Sequence, residues 1–248
     1  MTARPLAIVT GTSRGLGRAL AAALLARDHD VVGIARGPRP AQLALAGYTH
    51  VTLDLTELEA LEPALEAATG RELATRTRVV LVHNAGTVEP VGPLTALGAR
   101  ELERSFALNV LAPILLSGFV LRRSTAHDVR IAEISSGAAH APYAGWAAYC
   151  AGKAALAMVG RVVAAEAEAF DEHARRRIAV VSYAPHVVDT AMQAVLRSTS
   201  AARFPARERF VGLHERGELV APERPAAELA DVLARDELPA RTELRFRP

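Results

Sequence analysis

Short, nearly continuous apolar runs recur along the chain at 6–10 (LAIVT), 31–35 (VVGIA), 50–54 (HVTLD), 78–83 (RVVLVH), 130–135 (RIAEIS) and 178–183 (IAVVSY), with a weaker one at 243–246 (ELRF). Their length and β-branched content mark strands, and the lack of strict apolar/polar alternation marks strands covered on both faces. Between them lie segments with apolar positions three and four residues apart, as in 17–28 and 149–170, which predict helices. Strands alternating with helices imply right-handed crossovers and a doubly wound α/β fold, a parallel sheet sandwiched between two helical layers. No linker or repeat divides the 248 residues, so 1–248 reads as one domain. Pro205, Pro222 and Pro225 fall among short helical patterns, which predicts a mobile lid at about 190–225 over the strand ends.

Composition narrows the class. Half of the residues are hydrophobic, enough for a sizeable core, and 29 basic side chains nearly balance 27 acidic ones. The longest basic run, Arg175 to Arg177, is bracketed by acids and histidine, so neither a nucleic acid nor a lipid surface is an expected partner. Cys150 is the single cysteine, which excludes an internal disulfide and any multi-cysteine metal site. No metal is expected. No uninterrupted apolar run reaches membrane-spanning length and the N-terminus enters a strand at once, so the expected location is the cytoplasm.

The first strand runs into TGTSRGLG, residues 10–17, which opens a helix. Gly11, Gly15 and Gly17 permit a tight turn and a close approach of backbone to a pyrophosphate, whose charge the helix N-terminus favours. Strand before and helix after make this a dinucleotide loop rather than an ordinary turn. The second strand ends in Ala35-Arg36, where NAD-binding folds usually place an acid against the ribose 2′-hydroxyl. Arg36, with Arg14 of the glycine loop, suits a 2′-phosphate, and the expected cofactor is NADPH/NADP+.

Of the 29 basic residues, 28 are arginine; the one lysine is Lys153, four residues after Tyr149. On a helix that spacing puts both on one face, a turn apart. An ammonium beside a phenol is expected to draw its pKa from about 10 toward neutrality, where it serves as a general acid. Ser136, at the end of the fifth strand, would donate to a substrate carbonyl oxygen beside Tyr149; Ser135 is the alternative, since neighbours on a strand point to opposite faces.

These residues resemble the short-chain dehydrogenases/reductases. TGTSRGLG, the Asn84-Ala85-Gly86 turn, Asn109, Ser136 and the Tyr149-to-Lys153 motif look like the family's cofactor loop, its fourth-strand turn and its Asn-Ser-Tyr-Lys tetrad; Asn84 and Asn109 are the only asparagines in the chain. The resemblance implies a Rossmann-type, seven-stranded sheet in a homodimer or homotetramer. It assigns Asn109, Ser136, Tyr149 and Lys153 to catalysis, with Asn109 holding a water in a proton relay. For the cofactor it implies Gly11, Thr12, Ser13, Arg14, Gly15, Leu16, Gly17, Arg36, Asp54, Leu55, Asn84, Ala85, Gly86, Tyr149, Lys153, Val188, Thr190 and Met192.

Later segments, among them GTVEP (86–90) and ISSGAAHAPYAGWAAYCAGKA (134–154), look like the sepiapterin reductase-like branch and most closely its bacterial benzil reductases forming (S)-benzoin. The implied activity is NADPH-dependent reduction of one carbonyl of a vicinal diketone. The alternatives are sepiapterin or other ketone reduction, or a non-catalytic NADP(H) sensor. Ser136, Tyr143, Trp146, Tyr149, His186 and Met192 would contact substrate, with Phe204 and Phe210 completing an apolar wall. Two departures stand out: His186 follows Pro185 where the family has glycine, and Arg245 aligns where sepiapterin reductases carry a pterin-gripping aspartate.

Overall fold

A computed structural model of the chain describes residues 3–169 and 176–248; Phe170, at the end of the predicted long helix, and Arg175 of the arginine run lie outside them. Seven strands, β1 (Leu6–Thr10), β2 (Asp30–Ala35), β3 (Tyr48–Thr52), β4 (Arg78–His83), β5 (Asp128–Ile134), β6 (Arg177–Ala184) and β7 (Arg241–Arg245), form one parallel sheet in the order β3-β2-β1-β4-β5-β6-β7. The order reverses between β1 and β4, which opens a crevice at their carboxyl ends, the ligand position in open α/β sheets.

The predicted strands all form, with shifts that have local causes. β3 ends at Thr52 rather than reaching Asp54, because the Asp54 carboxylate turns back on its own chain and accepts from Thr56 N at 3.0 Å and Thr56 Oγ1 at 2.9 Å. β7 begins at Arg241, two residues before the apolar pattern does. It is an edge strand paired only to β6, where polar residues are tolerated.

Two apolar layers enclose the sheet. On one face α1 (Gly15–Leu25) packs with α8 (Glu223–Ala234) around Leu20, Leu24, Leu229 and Leu233, all fully buried. On the other lie α2 (Leu58–Leu73), α4 (Ala112–Arg123) and α5 (Ala147–Ala169), with Leu61, Leu65, Leu116 and Phe119 at the centre. α3 (Ala99–Phe106) continues through a π-helical segment (Ala107–Leu111) into α4 as one rod. That joining gives Ala99–Arg123 the length and apolarity to cross a membrane, as α5 has, although run length in the sequence predicts no such span. Both helices are half buried against the sheet, and Leu111, Ile114, Met158 and Val162 are left exposed on them.

The predicted lid contains two short helices, α6 (Ala191–Ser198) and α7 (Arg207–Glu215), anchored by Leu196, Phe204 and Phe210, all buried. Val188 bridges to Val220 and ties the segment back to the strand ends.

The opposite end of the sheet is held by a buried ion pair. Arg130, 1 % exposed, grips Asp128 through Nε to Oδ1 at 3.0 Å and Nη2 to Oδ2 at 2.6 Å, while its Nη1 donates to the Leu233 carbonyl at 2.8 Å near the end of α8. Arg78 adds a third bond to Asp128 at 2.8 Å. Burial pushes the Asp128 carboxyl up, but these arginines outweigh it and hold the group below its ordinary value. Asp128→Asn leaves Arg130 as an uncompensated buried charge and should cost about 3–5 kcal/mol, read as a lower denaturation midpoint. The native carboxylate contributes above its unfolded pKa of about 3.9 and loses that contribution as pH falls through the lower folded value. The gap between wild type and variant should therefore narrow on acidification below about pH 4.

Candidate active site

A cavity of about 1180 Å³ occupies the crevice at the β1/β4 reversal. It exceeds the roughly 300–1,000 Å³ of common small-ligand pockets, leaving room for an extended ligand and a second molecule. The glycine loop forms one wall. Gly11 and Gly15 take φ of 77° and 55°, where side chains are disfavoured. A Cβ on Gly17 would fall 2.3 Å from both the Gly11 carbonyl oxygen and Asn84 Nδ2, so only glycine lets α1 approach so closely. Thr10 Oγ1 accepts from the backbone N–H groups of Asn84 and Ala85, each at 3.0 Å, and Asn84 Nδ2 donates to Thr10 O at 2.9 Å. These bonds join the β1 and β4 turns into one rim.

The rim fits a phosphate-bearing dinucleotide. Arg14, the N-cap of α1, is extended and offers no side-chain bond to the first helical N–H groups, which leaves them for an anion. Arg14 and Arg36 are exposed at the cavity. Asp54 Oδ2 stands 4.0 Å from Arg36 and 3.6 Å from Arg104, a residue of α3 that the sequence pattern did not single out. Burial raises the Asp54 carboxyl, and its bonds to Thr56 with the charges of Arg36 and Arg104 outweigh that and lower it. Every predicted cofactor residue lines the cavity except Thr12. Thr12 is fully buried, with Oγ1 3.0 Å from Tyr48 Oη, and it supports the loop from behind.

Tyr149 and Lys153 rise from the first turns of α5 into the same cavity, both buried. Lys153 Nζ donates to the Ile134 carbonyl at the end of β5, at 2.7 Å, and lies 5.8 Å from the Tyr149 ring centroid. Asn109, in the π-helical segment, is behind the wall. Its Oδ1 accepts from Thr87 N at 3.0 Å and its Nδ2 donates to Thr87 O at 2.9 Å. A Cβ on Gly86 would sit 3.1 Å from Asn109 Oδ1 and 3.9 Å from Lys153 Nζ, so the bare glycine lies between the asparagine and the lysine.

Ser135 and Ser136 both line the cavity, because β5 ends at Ile134 and strand alternation no longer applies beyond it. Ser135 N still pairs with Tyr183 O at 2.8 Å, whereas Ser136 caps the following turn, its Oγ accepting from Ala138 N at 3.2 Å. The expected lowering of the phenol by the ammonium is not what the structure shows. Burial pushes Tyr149 up to about 12, with Ser136 opposing, and lowers Lys153 to about 8, with Glu133 opposing. The reason is desolvation: both groups are taken out of water, and each is driven toward its neutral form. At neutral pH the phenol is protonated and able to donate.

The other end of the cavity, where substrate contacts are expected, is aromatic. Trp146 packs 5.0 Å from Tyr149, 5.2 Å from Tyr143, 4.8 Å from Phe204 and 5.6 Å from Phe210 between ring centroids. Tyr143, Trp146, Met192 and Phe210 line the cavity; Phe204 is fully buried and backs Trp146 instead of forming wall. His186 takes φ of 66° and is exposed at the cavity edge, so the histidine adopts the left-handed backbone that glycine would take more readily. Arg245 also reaches the lining. Arg209, which sequence patterning missed among many arginines, donates to Tyr143 Oη at 3.2 Å from α7.

Residues 5–201 match the sequence profile of the family described as short chain dehydrogenase. A benzil reductase ((S)-benzoin forming) of Bacillus subtilis (strain 168) is 36 % identical over 231 residues, covering 92 % of this chain and 93 % of its own. A sepiapterin reductase of Xenopus tropicalis is 30 % identical over 250 residues, covering 93 % and 92 %. Among solved structures the KRED1-Pglu enzyme superposes with a TM-score of 0.78 at 31 % identity, over 93 % of this chain and 95 % of that one. A family profile over most of the chain, relatives aligned from end to end and the shared sheet lead to one conclusion: this chain belongs to the short-chain dehydrogenase/reductase family of oxidoreductases.

Proposed function

We propose that the protein is an NADPH-dependent carbonyl reductase acting on one carbonyl of a vicinal diketone of the benzil type. The observation that carries this reading is the meeting of Ser136, Tyr149 and Lys153 at the mouth of an aromatic-walled cavity whose other end is lined by the glycine loop. The likeness to benzil reductases supports the substrate class. Arg14 and Arg36 support the phosphorylated cofactor.

The reduced nicotinamide, when bound, supplies a hydride. Ser136 and Tyr149 hold the substrate oxygen by hydrogen bonds, and the phenol gives up its proton to that oxygen as negative charge develops there. The Lys153 ammonium then stabilises the phenolate left behind. Trp146 and Tyr143 present apolar faces to an aryl group. Asn109 braces the Thr87 backbone beside Lys153 and is a candidate support for a proton-relaying water. The protein is read as a cytoplasmic homodimer or homotetramer, with exposed Leu111, Ile114, Met158 and Val162 as the contact surface.

Purified protein mixed with NADPH and benzil, followed at the absorbance of the reduced cofactor, tests the reading. Oxidation of the cofactor at the expense of benzil supports it, binding without oxidation favours an NADP(H) sensor, and preference for sepiapterin or simple monoketones defeats the diketone assignment. Tyr149→Phe should lower turnover by about 10²–10⁴ with NADPH affinity nearly unchanged, as measured by steady-state kinetics and cofactor titration. Lys153→Arg should impair both, because the planar fork does not fit the buried site of an ammonium. Arg36→Ala should weaken NADPH by about 10–100-fold, the loss of one or two charge-assisted bonds, with a much smaller change for NADH. Equal losses for the two cofactors would remove the NADPH assignment.

A further inference from the structure

The fully buried strand β5 holds two acids, Asp128 at its start, paired with Arg130, and Glu133 near its end. Glu133 is 2 % exposed, lies one residue before Ile134, and has an Oε2 with no hydrogen-bond partner. Sheet register places it beside His83 of β4 and Ser182 of β6, and Ser182 beside Glu243 of β7. Register partners in a parallel sheet present side chains to the same face. Here that face is covered by α5, whose Gly160 is shaped around the carboxylate: a Cβ there would lie 2.6 Å from Glu133 Oε1 and 2.7 Å from Oε2. Lys153 precedes Gly160 by seven residues, two helical turns, and so points toward the same buried layer. Its Nζ is bonded to the carbonyl of the residue next to Glu133.

We propose that Glu133 is a positioning residue of this site, a buried carboxylate held against α5 that keeps Lys153 in its ammonium form. The catalytic consequence rests on the reading of Lys153 as the partner of Tyr149; the effect on the lysine itself does not. An ammonium in this layer has one fixed acceptor, the Ile134 carbonyl, and burial works against its charge. Glu133 is the countercharge that opposes that loss. The other groups facing Glu133 are few. Arg241 of β7 and Lys153 favour its ionised form, as does the Gly160 backbone, and Glu243 disfavours it; Glu243 is itself 3.7 Å from Arg161 of α5. His83 is held neutral, lowered to about 3 by burial and then by Lys153, with Nε2 2.8 Å from Ser117 Oγ of α4, and supplies no charge. Burial raises Glu133 to about 7, so it is ionised across the range in which Lys153, at about 8, loses its proton.

Lys153 is the only lysine in the chain, so its titration can be watched directly. Protein labelled with ¹³Cε-lysine gives one side-chain resonance, whose chemical shift against pH reports the ammonium without cofactor or substrate. In Glu133→Gln the midpoint should fall by about one pH unit, the effect of removing one nearby opposite charge. The alkaline limb of kcat/KM should move down with it, giving a several-fold loss near pH 8 and little loss near pH 6. Glu133→Asp should restore part of both shifts. An unchanged lysine midpoint overturns the proposal. A lowered midpoint with an unmoved alkaline limb, or a rate reduced equally at every pH, overturns its catalytic half. Should Glu133→Gln not fold, Gly160→Ala, which drives the carboxylate off the helix, must lower the midpoint likewise, and an unchanged value there is equally fatal. Because the resonance needs no turnover, a protein that failed to reduce diketones would still decide the matter.

Discussion

The hydrogen bond from Lys153 to the carbonyl of Ile134 is the contact through which the rest of the site is arranged. It fastens the first turns of α5 to the end of β5, and so sets Tyr149 one turn earlier opposite Ser136 two residues after the strand. The same bond leaves the lysine buried, with its charge supported by the sheet beneath and not by water. A surface lysine would keep its proton without help; this one depends on what β5 places beside it. Arginine, larger and permanently charged, has no equivalent arrangement in so narrow a layer.

Around that contact the cavity divides into two chemical halves. At the glycine loop, close backbone packing among Gly11, Gly17 and Asn84 leaves helix N–H groups and two exposed arginines toward the space. At the other end Trp146, just before α5, is the hub of an aromatic cluster with Tyr143 of the β5–α5 connection, Tyr149 of α5 at its edge, and Phe204 and Phe210 of the 190–225 segment. The polar half suits phosphates and the aromatic half an apolar group, while Tyr149, the proton donor of the proposed reaction, stands where they meet.

Electrostatics also sorts the ionisable groups by depth. At the far end of the sheet Asp128 is buried but held by several arginine bonds, and Arg130 also donates to the Leu233 carbonyl of α8, so the carboxylate is kept below its ordinary pKa. Under the active site Glu133, His83, Tyr149 and Lys153 have fewer partners, and desolvation moves all four toward neutrality. The contrast is one of satisfied against unsatisfied burial, which is how the two ends of one sheet come to serve anchoring and chemistry.

Much of this was legible in the chain itself. Apolar runs located all seven strands because buried parallel strands carry continuous hydrophobic character. The limits shifted by up to two residues, at both ends of β3 and at the starts of β5 and edge strand β7, where polar or charged residues begin the strand or an Asx turn ends it. The glycine spacing, the Tyr149–Lys153 interval and the two asparagines located most of the cavity, since local geometry alone puts such residues on one turn or one face. Thr12 and Phe204 belonged to the supporting layers instead, and Arg104 and Arg209 arrived from distant helices. The protonation states were also beyond the sequence's reach. Spacing showed that an ammonium stands near a phenol, but whether charge or desolvation wins depends on how much water is excluded and on which carboxylate lies underneath. Those are properties of β4, β5 and α5 packed together, set by contacts between residues far apart in the chain, and only the tertiary structure decides them.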